Sequence, residues 1–199
     1  MEIAVSDLDS IRDAIQSEFD RPFSIAVFGQ TGVGKSTLIN SVFNTSLETS
    51  ASEPCTDVPN VVDVKSGKST LRFIDLPGFG ESIDIDEGRL EMWKTYVEVA
   101  DIILVVSYST SRSIDLEIEQ VKRLVDNSKM GSVIFVCNQT DRIDAPEGWM
   151  FSVVDNQIKV VARKGIQDLI SAKSKYIRER IDISLSEECS IIYCSALSG

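Results

Sequence analysis

Residues 29–37 read GQTGVGKST and satisfy the pattern G-x-x-x-x-G-K-[ST]. An apolar run, FSIAVF at 23–28, precedes the motif, and the helix-like LINSVF at 38–43 follows it. In this order of strand, loop and helix, glycines let backbone N–H groups approach a polyphosphate, and the helix adds its positive dipole end. A glycine turn without a ligand is the alternative, which the flanking strand and helix disfavour. The stretch therefore predicts a nucleotide-binding P-loop.

The side chains of this loop are expected to contact the nucleotide. Lys35 is spaced to reach the outer phosphates, and Ser36 to hold Mg²⁺ through its hydroxyl. The other predicted nucleotide-binding residues of the loop are Gln30, Thr31, Gly32, Val33, Gly34 and Thr37.

A second set of metal and phosphate contacts is predicted at DLPG, residues 75–78. The motif ends an apolar run at the distance downstream where P-loop proteins place their second Mg²⁺ group. Asp75 is expected to bind the water shell of the ion, and the backbone N–H of Gly78 to meet a γ-phosphate. A strand-ending aspartate without this task is the alternative, which the neighbouring P-loop motif disfavours.

The composition fits a single α/β domain, with 199 residues of which 43% are hydrophobic and 26% charged. No apolar run approaches the ~18 residues of a membrane span, and no signal-peptide pattern is present, so we expect a cytoplasmic protein without a transmembrane segment. The chain contains no histidine, so neither an imidazole base nor a histidine metal ligand can come from it. The net charge of −11 argues against a direct nucleic-acid footprint. The 4 cysteines lack CxxC spacing and are predicted to be buried free thiols.

An amphipathic helix is predicted at residues 6–19, where Leu8, Ile11, Ile15 and Phe19 share one stripe. We expect this helix to pack on the flank of the domain, because such stripes are usually core. A docking helix for a partner is the alternative.

The remaining elements follow from apolar spacing and turn residues. A loop is predicted at 44–60, a β-hairpin at 61–74, a core-facing helix at 86–100 and a solvated outer helix at 115–126. Strands are predicted at 102–107, 133–137 and 191–193, and a mostly helical region, broken near Gly165, at 143–183.

Five motifs, taken together, resemble those of the translation-factor-related P-loop GTPases, and most closely the Era-like branch with its bacterial YfjP type. They are GQTGVGKS, Thr56 in the long loop, DLPG, NQTD at 138–141 and SAL at 195–197. The resemblance implies a three-layer Ras-like α/β fold with a mixed six-stranded sheet, an antiparallel second strand and helices on both faces. It also implies one G domain over 1–199, with an N-terminal helix at 1–21 and a GTPase core at 22–199. Family members continue with a final helix after SAL, so we expect a core that is truncated after its last strand. Substitution of that helix by the N-terminal helix on the sheet is the alternative.

The same resemblance assigns the base-binding residues. Asp141 would accept the ring N–H and amino group of guanine, whereas adenine would leave the carboxylate unpaired at a cost of about 1–3 kcal/mol or more. Asn138 would brace the loops around the base, and the backbone N–H of Ala196 would donate to the guanine carbonyl. Gln139 and Ser195 complete this predicted set.

The resemblance also implies two switches. Thr56 would close onto Mg²⁺ and the γ-phosphate only in the triphosphate state, with Thr49 as a weaker candidate. The second switch would run from DLPG to about Glu87. The metal ligands implied are Ser36, Thr56 and Asp75, and the residues implied for catalysis are Lys35, Thr56 and Gly78.

Three positions depart from the family pattern. Gln139 replaces the usual lysine of N-K-x-D, which should lower guanine affinity while Asp141 keeps specificity. Phe79 stands where Ras-like proteins orient water with a glutamine, so slow intrinsic hydrolysis, or a group from a partner, is expected. Gly32 replaces the asparagine of potassium-activated relatives. An arginine finger from Arg89 or Arg112 is disfavoured, because both are interpreted as surface charges.

The sequence thus predicts a GTP-binding switch protein that hydrolyses GTP to GDP and phosphate with Mg²⁺, assisted by a second G domain or an activating protein. A nucleotide-gated scaffold or dimerisation module with negligible hydrolysis is the alternative. An ATP-dependent kinase or ATPase would require NQTD to be accidental.

Overall fold

The computed structural model describes residues 5–47, 58–67, 69–111, 114–143, 149–154, 157–180 and 190–195. Its strands are β1 (Phe23–Gly29), β2 (Asn60–Ser66), β3 (Ser69–Asp75), β4 (Ile102–Tyr108), β5 (Val133–Asn138), β6 (Trp149–Val154), β7 (Gln157–Ala162) and β8 (Ser190–Tyr193). Its α-helices are α1 (Val5–Asp20), α2 (Lys35–Phe43), α3 (Ile83–Val99), α4 (Asp115–Leu124) and α5 (Lys164–Arg180).

A mixed sheet organises these elements. Within the described ranges it has 6 strands in the order β2-β3-β1-β4-β5-β8. β2 pairs antiparallel with β3, and the other neighbours pair in parallel. The carboxyl ends of β1, β3, β4, β5 and β8 therefore lie at one edge, where ligands bind in open α/β sheets. The predicted mixed sheet with an antiparallel second strand is confirmed.

Helices cover both faces of this sheet, as predicted. On one face, Trp93 and Val97 of α3 and Ile118 of α4 are buried in a cluster with Phe28. On the other face, Ile39 of α2 belongs to a second cluster of buried side chains. β1 supplies residues to both clusters because successive side chains of a strand point to opposite faces.

One part of the predicted secondary structure is wrong. Residues 149–154 and 157–162 form the strands β6 and β7 and not a helix. Among the described residues the two strands pair antiparallel as a separate two-stranded sheet. The runs WMFSVV and QIKVVA are rich in β-branched and aromatic residues, which favour extended backbone. The helix predicted here begins only at Lys164, next to Gly165.

The N-terminal helix is present, but its apolar stripe is not packed. Leu8, Ile11 and Ile15 are about half exposed and Phe19 is 81% exposed, so the prediction of packing on the flank is wrong for these side chains. The chain is instead fixed just after α1, where the guanidinium of Arg21 donates two hydrogen bonds, of 2.8 and 2.6 Å, to the carboxylate of Asp101.

Two further observations bear on the sequence predictions. Cys137 is a buried free thiol and Cys194 a half-buried one, whereas Cys55 and Cys189 lie outside the described residues. In the described part of the chain, no helix has both the length and the apolar character needed to cross a membrane.

Candidate nucleotide-binding site

The P-loop connects β1 to α2 at the ligand-binding edge of the sheet. Residues 30–34 form the turn, and Lys35, Ser36 and Thr37 open α2. Gly34 has φ 90°, and a Cβ there would lie 2.8 Å from Nδ2 of Asn138. Only glycine meets both conditions, because the left-handed region disfavours other residues and a side chain would collide with the asparagine. The loop is therefore shaped by close backbone approach, as expected of a phosphate cradle.

Lys35 is buried inside this cradle, with 8% of its surface exposed. Its ammonium group donates to the carbonyl oxygens of Gly29 and Gln30, both at 3.2 Å. Burial lowers the pKa of Lys35 to about 8, against the opposing effect of the Asp75 and Glu81 carboxylates. A desolvated cation with carbonyl oxygens as its partners is suited to receive an anion. This is the environment that a phosphate-binding lysine needs.

Ser36 and Asp75 meet next to Lys35. The hydroxyl of Ser36 donates to Oδ2 of Asp75 at 2.5 Å, and Asp75 is 2% exposed. The other carboxylate oxygen, Oδ1, is buried without a hydrogen-bond partner in the part of the chain described, and burial raises the pKa of Asp75. Oxygen ligands suit Mg²⁺, and an unpartnered buried carboxylate oxygen is costly unless a ligand meets it. The two residues thus fit a Mg²⁺ site, whereas Thr56, the third predicted ligand, and Thr49 lie outside the described residues.

Asn138 braces the P-loop from the end of β5. Its Nδ2 donates to the carbonyl oxygen of Val33 at 3.0 Å, and its Oδ1 accepts from the backbone N–H of Gln139 at 2.8 Å. The side chain is almost fully buried. The side chain thus connects the end of β5 to the P-loop, and its role around a bound base stays a prediction.

The loop after Asn138 is joined to the end of β8. The hydroxyl of Ser195 donates a short hydrogen bond to Oδ1 of Asp141, and the backbone N–H of Thr140 donates to the carbonyl oxygen of Cys194 at 3.1 Å. The structure therefore brings together Asp141 and Ser195, two predicted base-binding residues far apart in sequence. Ala196 lies outside the described residues.

Gln139 adopts a left-handed conformation, with φ 59°. A Cβ added to Gly34 would lie 3.7 Å from its Nε2, so the amide lies close to the P-loop. Its Oε1 is buried without a hydrogen-bond partner among the described residues. The amide thus lies beside the P-loop, and position 139 is the one to which the resemblance assigns a lysine.

The DLPG turn closes against the P-loop. The backbone N–H of Thr31 donates to the carbonyl oxygen of Phe79 at 3.0 Å, and a Cβ on Gly78 would lie 2.4 Å from Oγ1 of Thr31. Phe79 is fully buried, with its ring centroid 4.9 Å from that of Phe28. Phe79 is therefore an apolar anchor of the turn.

The interpretation of Arg89 as a surface charge, made from the sequence, is wrong. Arg89 is 9% exposed, and its Nη1 donates to the carbonyl oxygen of Gly78 and to Oε1 of Glu81, both at 3.0 Å. The signal was its spacing, because Arg89 lies four residues before the buried Trp93 on the same helical face. Arg112 lies outside the described residues.

Glu117 is a second buried charged residue at the site that the sequence pattern did not indicate. The residue is 1% exposed, and its Oε1 accepts a 3.2 Å hydrogen bond from Nε2 of Gln30 in the P-loop. Burial raises its pKa. Glu117, Ile118, Gln120 and Val121 are all buried, so α4 is not the solvated outer helix predicted.

Comparison with known proteins agrees with this geometry. The family model for 50S ribosome-binding GTPases matches residues 24–139. The tRNA modification GTPase MnmE of Sulfurimonas denitrificans is 30% identical over 154 residues, which are 75% of this chain and 33% of MnmE. The YfjP protein of Escherichia coli K12 is 26% identical over 125 residues, 62% of this chain and 44% of YfjP. The chain thus spans less than half the length of these two curated relatives.

Solved structures show the same fold. Toc33 from Arabidopsis thaliana superposes with a TM-score of 0.68 at 18% identity, covering 96% of this chain and 77% of Toc33. Era from Aquifex aeolicus, bound to GDP and AlF4−, gives 0.62 at 24% identity, covering 88% of this chain and 52% of Era. The family match covers more than half of the chain, and the P-loop, DLPG and NQTD motifs occupy the same edge of a Ras-like sheet. The chain therefore belongs to the 50S ribosome-binding GTPase family and contains an Era-like P-loop G domain.

Proposed function

We propose that this chain binds GTP and GDP together with Mg²⁺, hydrolyses GTP to GDP and phosphate, and acts as a nucleotide-dependent switch. GTP binding and hydrolysis belong to the family. The observation that supports assigning this function to these residues is the Ser36–Asp75 pair beside the buried ammonium of Lys35. Within the described ranges, Oδ1 of Asp75 is buried without a hydrogen-bond partner. A Toc33 structure in complex with GDP and Mg²⁺ supports the choice of ion.

The chemistry assigned to the chain is mainly positioning and charge neutralisation. Lys35 would neutralise negative charge that develops on the phosphates, and the P-loop amides would hold them in place. Ser36 and Asp75 would hold the metal, which supplies a further positive charge when bound. Gly78 would contact the terminal phosphate through its backbone N–H.

Slow intrinsic hydrolysis is part of this proposal. Phe79 is fully buried against Phe28, and a phenyl ring has no amide or hydroxyl group that could orient the attacking water through hydrogen bonds. A group from a second G domain or from another protein would then complete the site. Dimerisation is important for the GTPase activity of the chloroplast translocon components atToc33 and psToc159, which supports a G-domain pair as the source.

A nucleotide-gated scaffold with negligible hydrolysis is the second candidate, and the burial of Phe79 favours it. Phosphate release from GTP, measured under multiple turnover over a range of protein concentrations, separates the two. We expect a rate per molecule that rises with protein concentration. If GTP binds but no phosphate is released at any protein concentration, the scaffold function would be favoured.

The guanine assignment is tested by calorimetric titration of the chain with GDP and ADP in Mg²⁺. GDP should bind, and ADP should bind at least tenfold more weakly, because adenine would leave Asp141 unpaired. Asp141→Asn should shift preference toward xanthine nucleotides, whose additional carbonyl suits an amide donor. Tighter binding of ADP than of GDP by the wild type would refute the guanine site.

A further inference from the structure

A polar cluster lies between the P-loop and α3. We name it the Glu81 cluster, and it consists of Thr31, Gly78, Glu81 and Arg89. Oε1 of Glu81 accepts from the hydroxyl of Thr31 and from Nη1 of Arg89, both at 3.0 Å. The same Nη1 donates to the carbonyl oxygen of Gly78 at 3.0 Å. One carboxylate oxygen thus ties the P-loop to the turn that is expected to contact the terminal phosphate.

The ion pair in this cluster is shielded from water. The side chains of Arg89 and Glu81 are 10% and 17% exposed. A pair this buried is screened much less by solvent and salt than a surface pair. Removing either charge should therefore change the electrostatic environment of the neighbouring groups.

The chain around Glu81 is held in place on both sides. The backbone N–H of Gly80 donates to Oδ2 of Asp86 at 2.8 Å, and the hydroxyl of Ser82 caps α3 by accepting from the backbone N–H of Ile85. These bonds fix the start of α3. These bonds on either side of Glu81, together with the bond from Thr31, therefore fix the position of its carboxylate.

The charge of Glu81 reaches the phosphate cradle. The Glu81 carboxylate accepts from the hydroxyl of Thr31 in the P-loop, and Arg89 donates to the carbonyl oxygen of Gly78, which packs against Thr31. Both charges therefore lie at the edge of the cradle. A carboxylate near the cradle repels an incoming anion, and repulsion inside a poorly solvated site is stronger than in water. The terminal phosphate of a triphosphate adds an anionic group that a diphosphate lacks.

We propose that Glu81 sets the preference of this site between guanosine triphosphate and diphosphate. Without a terminal phosphate, the Glu81 carboxylate occupies the Thr31 hydroxyl and holds the DLPG turn closed against the P-loop. A terminal phosphate replaces the carboxylate at Thr31, and Glu81 and Arg89 then separate from the loop. The inference rests on the proposed function, because it assigns a specificity role within the same nucleotide site.

Only binding of the triphosphate includes the unfavourable free energy of displacing Glu81 from Thr31. A ligand shifts a conformational equilibrium only through its different affinity for the two states. GDP leaves the Glu81 cluster intact, whereas GTP must break the bond between Thr31 and Glu81. Neutralising Glu81 should therefore favour the triphosphate selectively.

Glu81→Gln tests this role with little change of shape, because glutamine keeps an acceptor oxygen for Thr31 and Arg89 but has no charge. Calorimetric titration with Mg²⁺ and GMPPNP should give an affinity about tenfold higher than the wild type, within the usual range of coupling between sites. The affinity for GDP should change by less than about twofold. Glu91→Gln is the matched control, since Glu91 lies on α3, is 84% exposed and pairs with Lys94. It should change neither affinity.

Arg89→Gln should act in the opposite direction. It leaves the Glu81 carboxylate without its partner cation, so GMPPNP affinity should fall more than GDP affinity. A purely structural role would lower the affinities of both nucleotides in both variants. Arg89→Lys keeps the positive charge and should leave the preference between GMPPNP and GDP close to that of the wild type.

The outcomes separate this inference from the proposed function. Wild type that binds neither GDP nor GMPPNP would refute the function itself. Wild type that binds both, together with a Glu81→Gln variant that shifts both affinities equally or neither, would overturn the role of Glu81 and leave the GTPase assignment standing.

Discussion

The indole Nε1 of Trp93 donates a 3.0 Å hydrogen bond to the carbonyl oxygen of Pro77, the residue before Gly78 in the DLPG motif. Trp93 is fully buried, and its ring lies edge-on to Phe28 at a centroid distance of 5.3 Å. The tryptophan in the core of α3 is thus bonded directly to the turn that is proposed to respond to the terminal phosphate.

Trp93 should therefore report movement of this turn by fluorescence. The chain has 2 tryptophans, and Trp149→Phe leaves Trp93 as the sole emitter. We expect GMPPNP with Mg²⁺ to change its intensity or shift its maximum, because loss of the bond to Pro77 alters the surroundings of the indole. GDP should cause a smaller change, and ADP none. Identical spectra with saturating GMPPNP and without nucleotide would show that the turn does not move.

The meeting of Ser36 and Asp75, the residues proposed to hold the metal, was predictable from sequence because the fold fixes the spacing of their motifs. Ser36 opens the helix after the P-loop and Asp75 ends the strand beside β1, and parallel pairing brings Val27 opposite Asp75. The two side chains therefore meet whenever the P-loop and DLPG motifs occupy neighbouring strands. Asn138 and Asp141 follow in the same way from the end of β5.

The misses have physical causes too. Ile158 and Val161 satisfy helical spacing, but β-branched residues in consecutive positions favour extended backbone, and β7 forms instead. Arg89 and Glu117 carry charges that suggest exposure, yet each is buried because it has a polar partner in the site. Single-sequence patterns record the charge of a residue and not its partner, so such groups are assigned to the surface.

The closeness of Gly78 to Thr31 predicts opposite results for two glycine substitutions. In Gly78→Ala, the new Cβ would lie 2.4 Å from Oγ1 and 2.6 Å from the backbone N of Thr31. The turn must then separate from the P-loop, which should cost about 1–3 kcal/mol in the free energy of unfolding. The separation also moves the backbone N–H of Gly78 away from the terminal phosphate, so GMPPNP binding should weaken even though the contact between Thr31 and Glu81 is lost.

Gly88→Ala is the matched control for that variant. Gly88 lies within α3, and a Cβ there would meet no heavy atom within 4 Å. Alanine should raise the free energy of unfolding by about 0.4–1 kcal/mol, because it restricts the unfolded chain and favours the helix. Urea unfolding measures both changes. Equal stability of the two variants would contradict the close contact at Gly78.

Asp101 should contribute stability that depends on pH. Its carboxylate accepts from Arg21, from the backbone N–H of Ser24 at 2.7 Å and from the Ser24 hydroxyl at 2.9 Å. The Arg21 guanidinium, with Ser24, holds the pKa of Asp101 well below its usual range. A lowered folded-state pKa gives stability that is present above the unfolded value of about 3.9 and is lost as pH falls toward the folded value.

Asp101→Asn should accordingly lower the melting temperature by roughly 3–8 °C at pH 7. The difference from wild type should shrink as pH falls from about 5 to about 3. Asp63→Asn is the control, because Asp63 and Arg72 form an ion pair across β2 and β3 in which both side chains are about 40% exposed. Exposed pairs contribute little, so its effect should be less than half as large. A larger loss in Asp63→Asn would refute this ranking.

The burial of Phe79 predicts that glutamine at this position will not restore efficient hydrolysis. Its ring fills an apolar site against Phe28, so the amide of Phe79→Gln would be buried without a partner or would pull the turn out of place. We expect a loss of about 3 kcal/mol in the free energy of unfolding and no increase in single-turnover phosphate release. Phe79→Leu keeps the site apolar and should cost about 1 kcal/mol. Faster hydrolysis by the glutamine variant, at wild-type stability, would show that position 79 faces the phosphates and would overturn its role as an anchor.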